Sequence, residues 1–230
     1  MTTKELIEGF KKVRPADISD ALDRVNRQDT CVMDNRIRPI WQGCSFVGTA
    51  KTAKYTRATD TIPHAETNEE YDKYAEESLD GRNIYSAFLE VIEDGDVLVF
   101  DNEQTPYGLW GSDVALTAEK KGLAGVVLDG GCRDSYEVAL QESPVFCAER
   151  TPTHVIGRLD LVSINEPITC GGVLVRPGDI ICADDDGVVV VPIEDAEKVL
   201  EYAQRELDID KNRRKGKYED LNRELDESVK

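Results

Sequence analysis

The chain has 230 residues, of which 40% are hydrophobic, and this size is typical of one α/β domain with a sizeable core. Its formal net charge is −18, from 46 acidic and 28 basic residues, and such an excess of negative charge repels phosphate backbones and anionic membranes. We therefore expect no nucleic-acid partner, and an anionic ligand would need local positive charge at its site.

Membrane insertion and export are also disfavoured by the sequence. No segment approaches the roughly 18 to 20 apolar residues that span a bilayer, and residues 1–13 are charged and polar where a signal peptide would be apolar. We expect a cytoplasmic protein. Its six cysteines form no CxxC pair, so we expect buried free thiols and no structural zinc site.

The first part of the chain predicts two short helices and a strand. The helices are expected at Lys4–Val13 and from Pro15, because proline suits the first turn of a helix, and the strand at Phe46–Lys54. Residues 56–82 are polar and lack a clear apolar period. We interpret them as an insertion or lid over the surface.

The middle of the chain has the pattern of a parallel βαβ arrangement. Apolar residues at helical spacing around Phe88 precede a buried-strand run at Val97–Phe100. A helix after Gly111, a strand at Val126–Leu128 and a helix after Arg133 follow. Strands and helices that alternate through short glycine turns favour a parallel sheet.

The last third predicts a β-rich half and a closing helix. Short β-branched runs at Val173–Val175, Ile180–Cys182 and Val188–Val191 are separated by turn-forming residues. An amphipathic helix follows, and residues 208–230 are expected to form a charged, exposed helical tail. The whole pattern predicts a single α/β domain over residues 1–230.

The segment that carries candidate chemistry runs from Gly108 to Asp134. In parallel α/β sheets, ligands gather beyond the carboxyl ends of strands, where glycine loops expose backbone N–H groups. Gly108 and Gly111 would let the backbone amides near Leu109 and Trp110 approach a carboxylate closely.

Two charged residues complete this segment. Arg133 can bind the same anion with two parallel hydrogen bonds, and Asp134 offers a hard oxygen ligand that suits Mg²⁺ or Mn²⁺ better than Zn²⁺. By itself, however, an Arg–Asp pair is most often a salt bridge at a helix cap. Both interpretations stay open on the residues alone.

Several motifs together resemble the RraA-like family. This family includes the metal-dependent class II pyruvate aldolases (4-hydroxy-4-methyl-2-oxoglutarate/4-carboxy-4-hydroxy-2-oxoadipate aldolase) and the regulator of ribonuclease E activity A. The resemblance covers most of the chain apart from residues 56–82 and the tail. The matching residues are Leu109-Trp110-Gly111, Gly122, Gly125, Asp129-Gly130 and Arg133-Asp134, with Asp17–Leu22 near the start and Arg176–Asp179 and Asp186–Pro192 near the end.

The resemblance implies a fold and an assembly. The expected fold is a layered α/β/β sandwich with a swivelling-domain-like β-rich half and a charged C-terminal helix, assembled as a homotrimer or homohexamer. By the same resemblance, Asp134 would bind Mg²⁺ or Mn²⁺ and Arg133 would bind the carboxylate of a small anionic 2-oxo acid.

The chemistry of such a site can be derived from its charges. Cleavage of a carbon–carbon bond beside a ketone leaves an enolate, which a metal on the ketone oxygen and a nearby arginine would stabilise. Retro-aldol cleavage of a 4-hydroxy-2-oxo acid and decarboxylation of oxaloacetate both pass through pyruvate enolate. We therefore expect a metal-dependent lyase that acts as an aldolase, a decarboxylase or both.

One position departs from the family pattern. Ser112 stands where members with aldolase activity usually carry Asp or Glu, which orders a metal-bound water and handles a proton. Asp113 is next, but one residue along a helix turns the side chain by about 100°, so we expect it not to reach the same point. Ser112 can orient water but is a poor acid or base near neutrality. Ser112 and Arg133 are the predicted catalytic residues.

Two further functions remain open on the sequence. One is a non-catalytic regulator that binds a ribonuclease, as the name of one family branch suggests. The other is altered chemistry on a sugar acid, suggested by Ser112 and the segment 56–82. We interpret Asp184-Asp185-Asp186 as a solvated turn, His64 as a surface or lid residue and Cys132 as a packed thiol.

Overall fold

The computed structural model describes residues 1–59 and 63–230, and in these ranges its centre is a mixed sheet of nine strands with a separate two-stranded hairpin, β8–β9. The strands are β1 (Arg38–Pro39), β2 (Phe46–Arg57), β3 (Asp96–Asp101), β4 (Gly108–Trp110), β5 (Gly125–Cys132), β6 (Val145–Arg150), β7 (Leu159–Ile164), β8 (Ile168–Cys170), β9 (Val173–Val175), β10 (Ile180–Asp184) and β11 (Gly187–Val191).

Helices cover the two sides of the sheet. As expected, Pro15 occupies the first turn of the second helix. No helix in the described ranges is long and apolar enough to cross a membrane. The helices are α1 (Thr3–Phe10), α2 (Pro15–Asp23), α3 (Asn68–Gly81), α4 (Ser86–Glu90), α5 (Ser112–Glu119), α6 (Ser135–Leu140) and α7 (Ala196–Asp220).

The order of the strands confirms the predicted parallel organisation of the middle of the chain. Along the sheet the order is β1-β6-β5-β3-β2-β10-β11, and β2, β3, β5 and β6 pair in parallel. β4 also pairs in parallel with the end of β5. The carboxyl ends of β4 and β5 therefore lie side by side, at the edge where α/β proteins bind ligands.

Alternating side chains divide the interior into layers. In β3, Leu98 and Phe100 pack into a cluster covered by α4, α5 and α6, whereas Val97 and Val99 face the opposite cluster, which contains β8 and β9. A third cluster joins β10 and β11 to α1, α2 and α7. This arrangement confirms the expected layered α/β/β fold and its closing C-terminal helix.

The segment 56–82 differs from the sequence-based expectation. It contains the end of β2, which continues to Arg57, and the 14-residue helix α3. The hydroxyl of Thr67 caps the first turn of α3 by accepting the amide of Glu70 at 3.2 Å. Ser78 alone of the α3 residues is buried, and a helix with so little buried surface shows no apolar period. Residues 60–62 lie outside the described residues.

The structure confirms the predicted turn at residues 184–186, but it confirms the predicted C-terminal tail only in part. Asp184–Gly187 forms the turn of the β10–β11 hairpin, as expected. The tail is not helical throughout, because α7 ends at Asp220 and the last residues fold back along it. There the Arg214 guanidinium donates to the Ser228 hydroxyl at 2.7 Å, and Val229 is fully buried. The prediction of a helix is therefore wrong for the last ten residues of the tail, although most of them are exposed as expected.

Candidate active site

The loops that follow β4 and β5 meet at one point. Trp110, the last residue of β4, pairs with Cys132 at the end of β5, and the backbone amide of Arg133 donates to the carbonyl of Trp110 at 2.8 Å. The chain therefore leaves the two strands side by side. This brings Ser112, the first residue of α5, next to Asp134, which precedes α6.

The Asp134 carboxylate is held by three donors from these loops. Its Oδ1 accepts the Arg133 Nε–H at 3.1 Å, and its Oδ2 accepts the backbone amide of Ser112 at 3.3 Å and the Ser112 hydroxyl at 3.4 Å. Asp134 occupies the N-cap position of α6, yet its side chain forms no cap hydrogen bond. The carboxylate is therefore directed away from the helix it precedes.

The backbone of Asp134 is also unusual. Its φ of 52° lies in the left-handed region, which non-glycine residues rarely adopt and which aspartate tolerates better than most. Uncommon backbone conformations of this kind cluster at functional sites. Asp134 therefore does not cap α6, and its carboxylate instead accepts the amide of Ser112, the first residue of α5.

Two glycines leave room for the pair of charged side chains. A Cβ on Gly111 would lie 2.7 Å from Asp134 Oδ2 and 3.0 Å from Arg133 Cγ, and a Cβ on Gly108 would lie 2.9 Å from Arg133 Cβ. Any larger residue at Gly111 would displace the carboxylate. These glycines therefore serve the packing of Arg133 and Asp134.

The electrostatics of the pair favour an ionised carboxylate. Partial burial opposes the charge on Asp134, but the hydrogen bonds from Arg133 and the Ser112 amide outweigh it, so that the pKa of Asp134 lies below its ordinary value. Each of the two side chains is 31% exposed. Both can therefore contact a ligand from solvent.

Arg133 and Asp134 open into a cavity of about 330 Å³, which falls near the lower end of ligand-site volumes. We call Gly111, Arg133 and Asp134 the polar wall. We call the carbon-rich part of the same lining the apolar wall; it consists of Leu79 from α3, Tyr85, which precedes α4, and Leu89 from α4. The remaining lining residues are Asp113, Val114 and Thr117 of α5, together with His154.

His154 lines the cavity and was not predicted from the sequence as a site residue. Its Nδ1 accepts the backbone amide of Ile156 at 3.1 Å, so in the neutral ring the proton resides on Nε2. Burial, with Arg133 and Arg158 nearby, lowers the pKa of His154 below its ordinary value. The ring therefore offers a hydrogen-bond donor to the cavity at neutral pH.

Tyr85 and Asp113 were also missed. Burial raises the pKa of Tyr85 to about 12, which keeps the phenol neutral at physiological pH. Asp113, which is not expected to reach the point that Ser112 occupies, nevertheless lines the same cavity as Asp134.

Other predicted residues occupy different surroundings. The side chains of Leu109 and Trp110 are buried in the core. The amides of Gly108 and Leu109 donate to the carbonyls of Thr153 and Tyr107 at 3.2 and 2.9 Å, so those two amides are already occupied. His64 is exposed outside the cavity lining, and Cys132 is a buried thiol, as expected.

Comparison with known proteins places the chain in a family. The family model described as RraA-like, Aldolase/RraA, matches residues 15–190. The chain belongs to the RraA-like family. A relative from Halalkalibacterium halodurans named "Putative 4-hydroxy-4-methyl-2-oxoglutarate aldolase" is 30% identical over 202 residues, which are 87% of this chain and 83% of the relative.

Two further similarities show the breadth of this RraA-like family. Protein DlpA of Legionella pneumophila is 28% identical over 86% of this chain, but the match spans only 29% of DlpA itself. Streptomyces coelicolor RraAS2, described as an unusual member of the RNase ES inhibitor RraA protein family, superimposes with a TM-score of 0.75 at 27% identity and covers 91% of this chain and 96% of its own. The relatives thus carry both aldolase and inhibitor names.

Proposed function

We propose that this RraA-like protein is a divalent-metal-dependent lyase that cleaves a carbon–carbon bond in a small 2-oxo acid and releases pyruvate. The observation that carries the proposal is the Asp134 carboxylate, which does not cap the helix it precedes and opens with Arg133 into a cavity of ligand size. The aldolase name of the Halalkalibacterium halodurans relative supports the same reaction class.

The donor atoms present suit a hard cation. No three His, Cys, Asp or Glu side chains form a metal-binding group within residues 1–59 and 63–230, which argues against a zinc-type site. Mg²⁺ is commonly held by one or two carboxylates, with water and substrate oxygens completing its shell. Asp134 fits that role for Mg²⁺ or Mn²⁺. When bound, such a cation supplies Lewis-acid polarisation of a ketone oxygen.

Arg133 is suited to the carboxylate of the 2-oxo acid. Its Nε–H donates to Asp134, and this contact orients the guanidinium while leaving its terminal amino groups for the substrate. Bidentate pairing with a carboxylate is stronger and more directional than contact with a single ammonium. We propose that Gly111, which also lines the cavity, lets the substrate approach this pair closely.

Retro-aldol cleavage also requires a group that accepts the proton of the substrate hydroxyl. The Nδ1 of His154 is already engaged with Ile156, so this ring can donate a hydrogen bond but cannot readily take a proton. Asp113 presents a second carboxylate to the cavity. We propose that Asp113 accepts this proton. We also propose that the Ser112 hydroxyl, which donates a hydrogen bond to Asp134, orients water.

The proposal is tested with purified protein, Mg²⁺ and either 4-hydroxy-4-methyl-2-oxoglutarate, 4-hydroxy-2-oxopentanoate or oxaloacetate. Pyruvate is followed through lactate dehydrogenase and NADH, with protein-free reactions at the same Mg²⁺ concentration subtracted. We expect pyruvate formation that stops on chelation and returns on addition of Mg²⁺. Absence of pyruvate from all three compounds would refute the lyase and favour a regulator that only binds another protein.

Assembly is a further part of the proposal. We propose a homotrimer or homohexamer. Size-exclusion chromatography with light scattering should give a mass three or six times that of the 25.6 kDa chain. A monomer would contradict this assembly.

A further inference from the structure

We infer that the substrate is a 4-hydroxy-2-oxo acid whose C4 substituents are uncharged and apolar, and that the apolar wall of the cavity selects it. The inference rests on the proposed function, because Arg133 and Asp134 must first hold the 2-oxo acid end. It goes beyond that function by separating one substrate class from the dicarboxylic acids, such as 4-hydroxy-4-methyl-2-oxoglutarate.

The first observation is that the apolar wall is anchored. Leu79, Tyr85 and Leu89 are partly buried and pack against the hydrophobic cluster between the sheet and α4–α6. The Tyr85 ring also meets Phe88 edge to face, with 6.0 Å between ring centroids. These side chains therefore present fixed carbon surface to the cavity, and Val114 extends that surface on α5.

The second observation is the charge of the cavity lining. Among the lining residues that the structure describes, Arg133 is the one permanent cation, while Asp113 and Asp134 are both carboxylates. Arg133 is already assigned to the carboxylate of the 2-oxo acid. A second carboxylate on the substrate would then lie against leucine side chains with no cation to pair with, and burial of an unpaired charge is strongly unfavourable.

The third observation concerns His154, a neutral donor in the lining of the cavity. Since Nδ1 of His154 is occupied by Ile156, the ring can donate one hydrogen bond from Nε2. A neutral donor suits a hydroxyl oxygen, and the oxygen of the C4 hydroxyl gains negative charge as its proton is removed, before that charge passes to the enolate when the carbon–carbon bond breaks. The lining therefore matches a C4 carbon that bears one hydroxyl group and otherwise apolar substituents.

The direct test compares kcat/KM of the wild-type protein with Mg²⁺ on two kinds of substrate. The uncharged kind is 4-hydroxy-2-oxopentanoate and its longer homologue 4-hydroxy-2-oxohexanoate; the dicarboxylic kind is 4-hydroxy-4-methyl-2-oxoglutarate. We expect at least about a 10-fold preference for the uncharged compounds, and about a fourfold gain for the added methylene group. An equal or higher kcat/KM for the dicarboxylic acid would refute the inference while leaving the lyase proposal intact.

Variants locate the selectivity on the apolar wall. Leu89→Arg and, independently, Leu79→Lys each add a cation facing the cavity, and either change should shift the preference about 10-fold towards the dicarboxylic acid. Leu116→Arg on the exposed face of α5 adds the same charge outside the cavity and should leave the ratio as in the wild type. Circular dichroism and thermal unfolding identify the variants that remain folded.

Two outcomes would contradict different parts of the proposal. If folded Leu89→Arg and Leu79→Lys both keep the wild-type ratio, the apolar wall does not select the substrate. Absence of pyruvate from every compound would instead refute the lyase itself.

Discussion

The two walls of the cavity are built in different ways. The polar wall comes from loops at the ends of two paired strands, and its side chains are fixed by hydrogen bonds such as the one from Arg133 to Asp134 at 3.1 Å. The apolar wall comes from α3 and α4 and is fixed by packing of Leu79 and Leu89 on the core. Under the proposed function, reaction chemistry and substrate choice would therefore depend on separate elements. Substitutions in the polar wall should lower turnover of every substrate, whereas substitutions in the apolar wall should change the ratio between substrates.

The largest effect is expected from the metal ligand. Asp134→Asn removes the only carboxylate charge of the polar wall, so Mg²⁺ should bind weakly and turnover of all 2-oxo acids should fall by on the order of 10³-fold or more. The loss should be equal for uncharged and dicarboxylic substrates. Mg²⁺ affinity is measured by isothermal titration calorimetry, and thermal unfolding shows whether the fold is intact. If the wild-type protein kept more than a few per cent of its rate in metal-free buffer, Asp134 would have a role other than metal binding.

The polar wall is also the part of the site that could be predicted from the sequence. Arg133 and Asp134 are neighbours in the chain, and the short apolar run Val126–Leu128 indicates the buried strand that precedes them. Together with Gly111, which lies at a second glycine turn, they indicate a ligand site from the sequence alone. The parallel sheet and the closing helix followed from the same apolar patterns.

The apolar wall could not be predicted in this way. α3 is almost entirely exposed, so its sequence lacks the periodicity that identifies most helices. His154 reaches the cavity because residue 154 forms an isolated bridge with Gly108, and such pairing depends on the tertiary fold. Asp113 also lines the cavity, since a rotation of about 100° around a helix can move a side chain along a broad cavity without removing it.

The next effect separates the two proposed reactions, aldol cleavage and decarboxylation. Asp113→Asn should lower aldol cleavage by about 10²-fold, because a general base typically contributes 10²–10⁴-fold. Decarboxylation of oxaloacetate should change by less than about threefold, since no substrate hydroxyl loses its proton in that reaction. Both rates are measured on one preparation by pyruvate release. Equal losses in the two reactions would mean that Asp113 positions the metal or the substrate and does not accept the proton.

A smaller effect is expected from Arg133→Lys, which keeps the positive charge but cannot form a bidentate contact with the substrate carboxylate. KM for 2-oxo acids should rise and kcat should fall, for a combined loss of about 30-fold in kcat/KM. The ratio between uncharged and dicarboxylic substrates should stay constant, because Arg133 contacts the end that both share. Steady-state kinetics on both kinds of substrate measure KM, kcat and the ratio of kcat/KM between them. An unchanged KM would place the substrate carboxylate elsewhere.

The smallest effect is expected at Ser112, whose amide and hydroxyl both contact Asp134 Oδ2. If Asp113 already accepts the proton, Ser112→Glu adds a carboxylate that is not needed, and aldol cleavage should change by less than about threefold. In the Asp113→Asn background the same substitution should restore aldol cleavage by about 10-fold, because the new carboxylate enters the site from the adjoining residue of α5.

Ser112→Gln in the Asp113→Asn background is the matched control. Its side chain has the same length as glutamate but lacks the basic oxygen, and it should restore no aldol cleavage. Recovery with glutamate but not glutamine, seen in aldol cleavage and absent from decarboxylation, would assign proton transfer to the start of α5. Strong stimulation of the wild-type aldolase by Ser112→Glu would instead show that Asp113 does not perform this step.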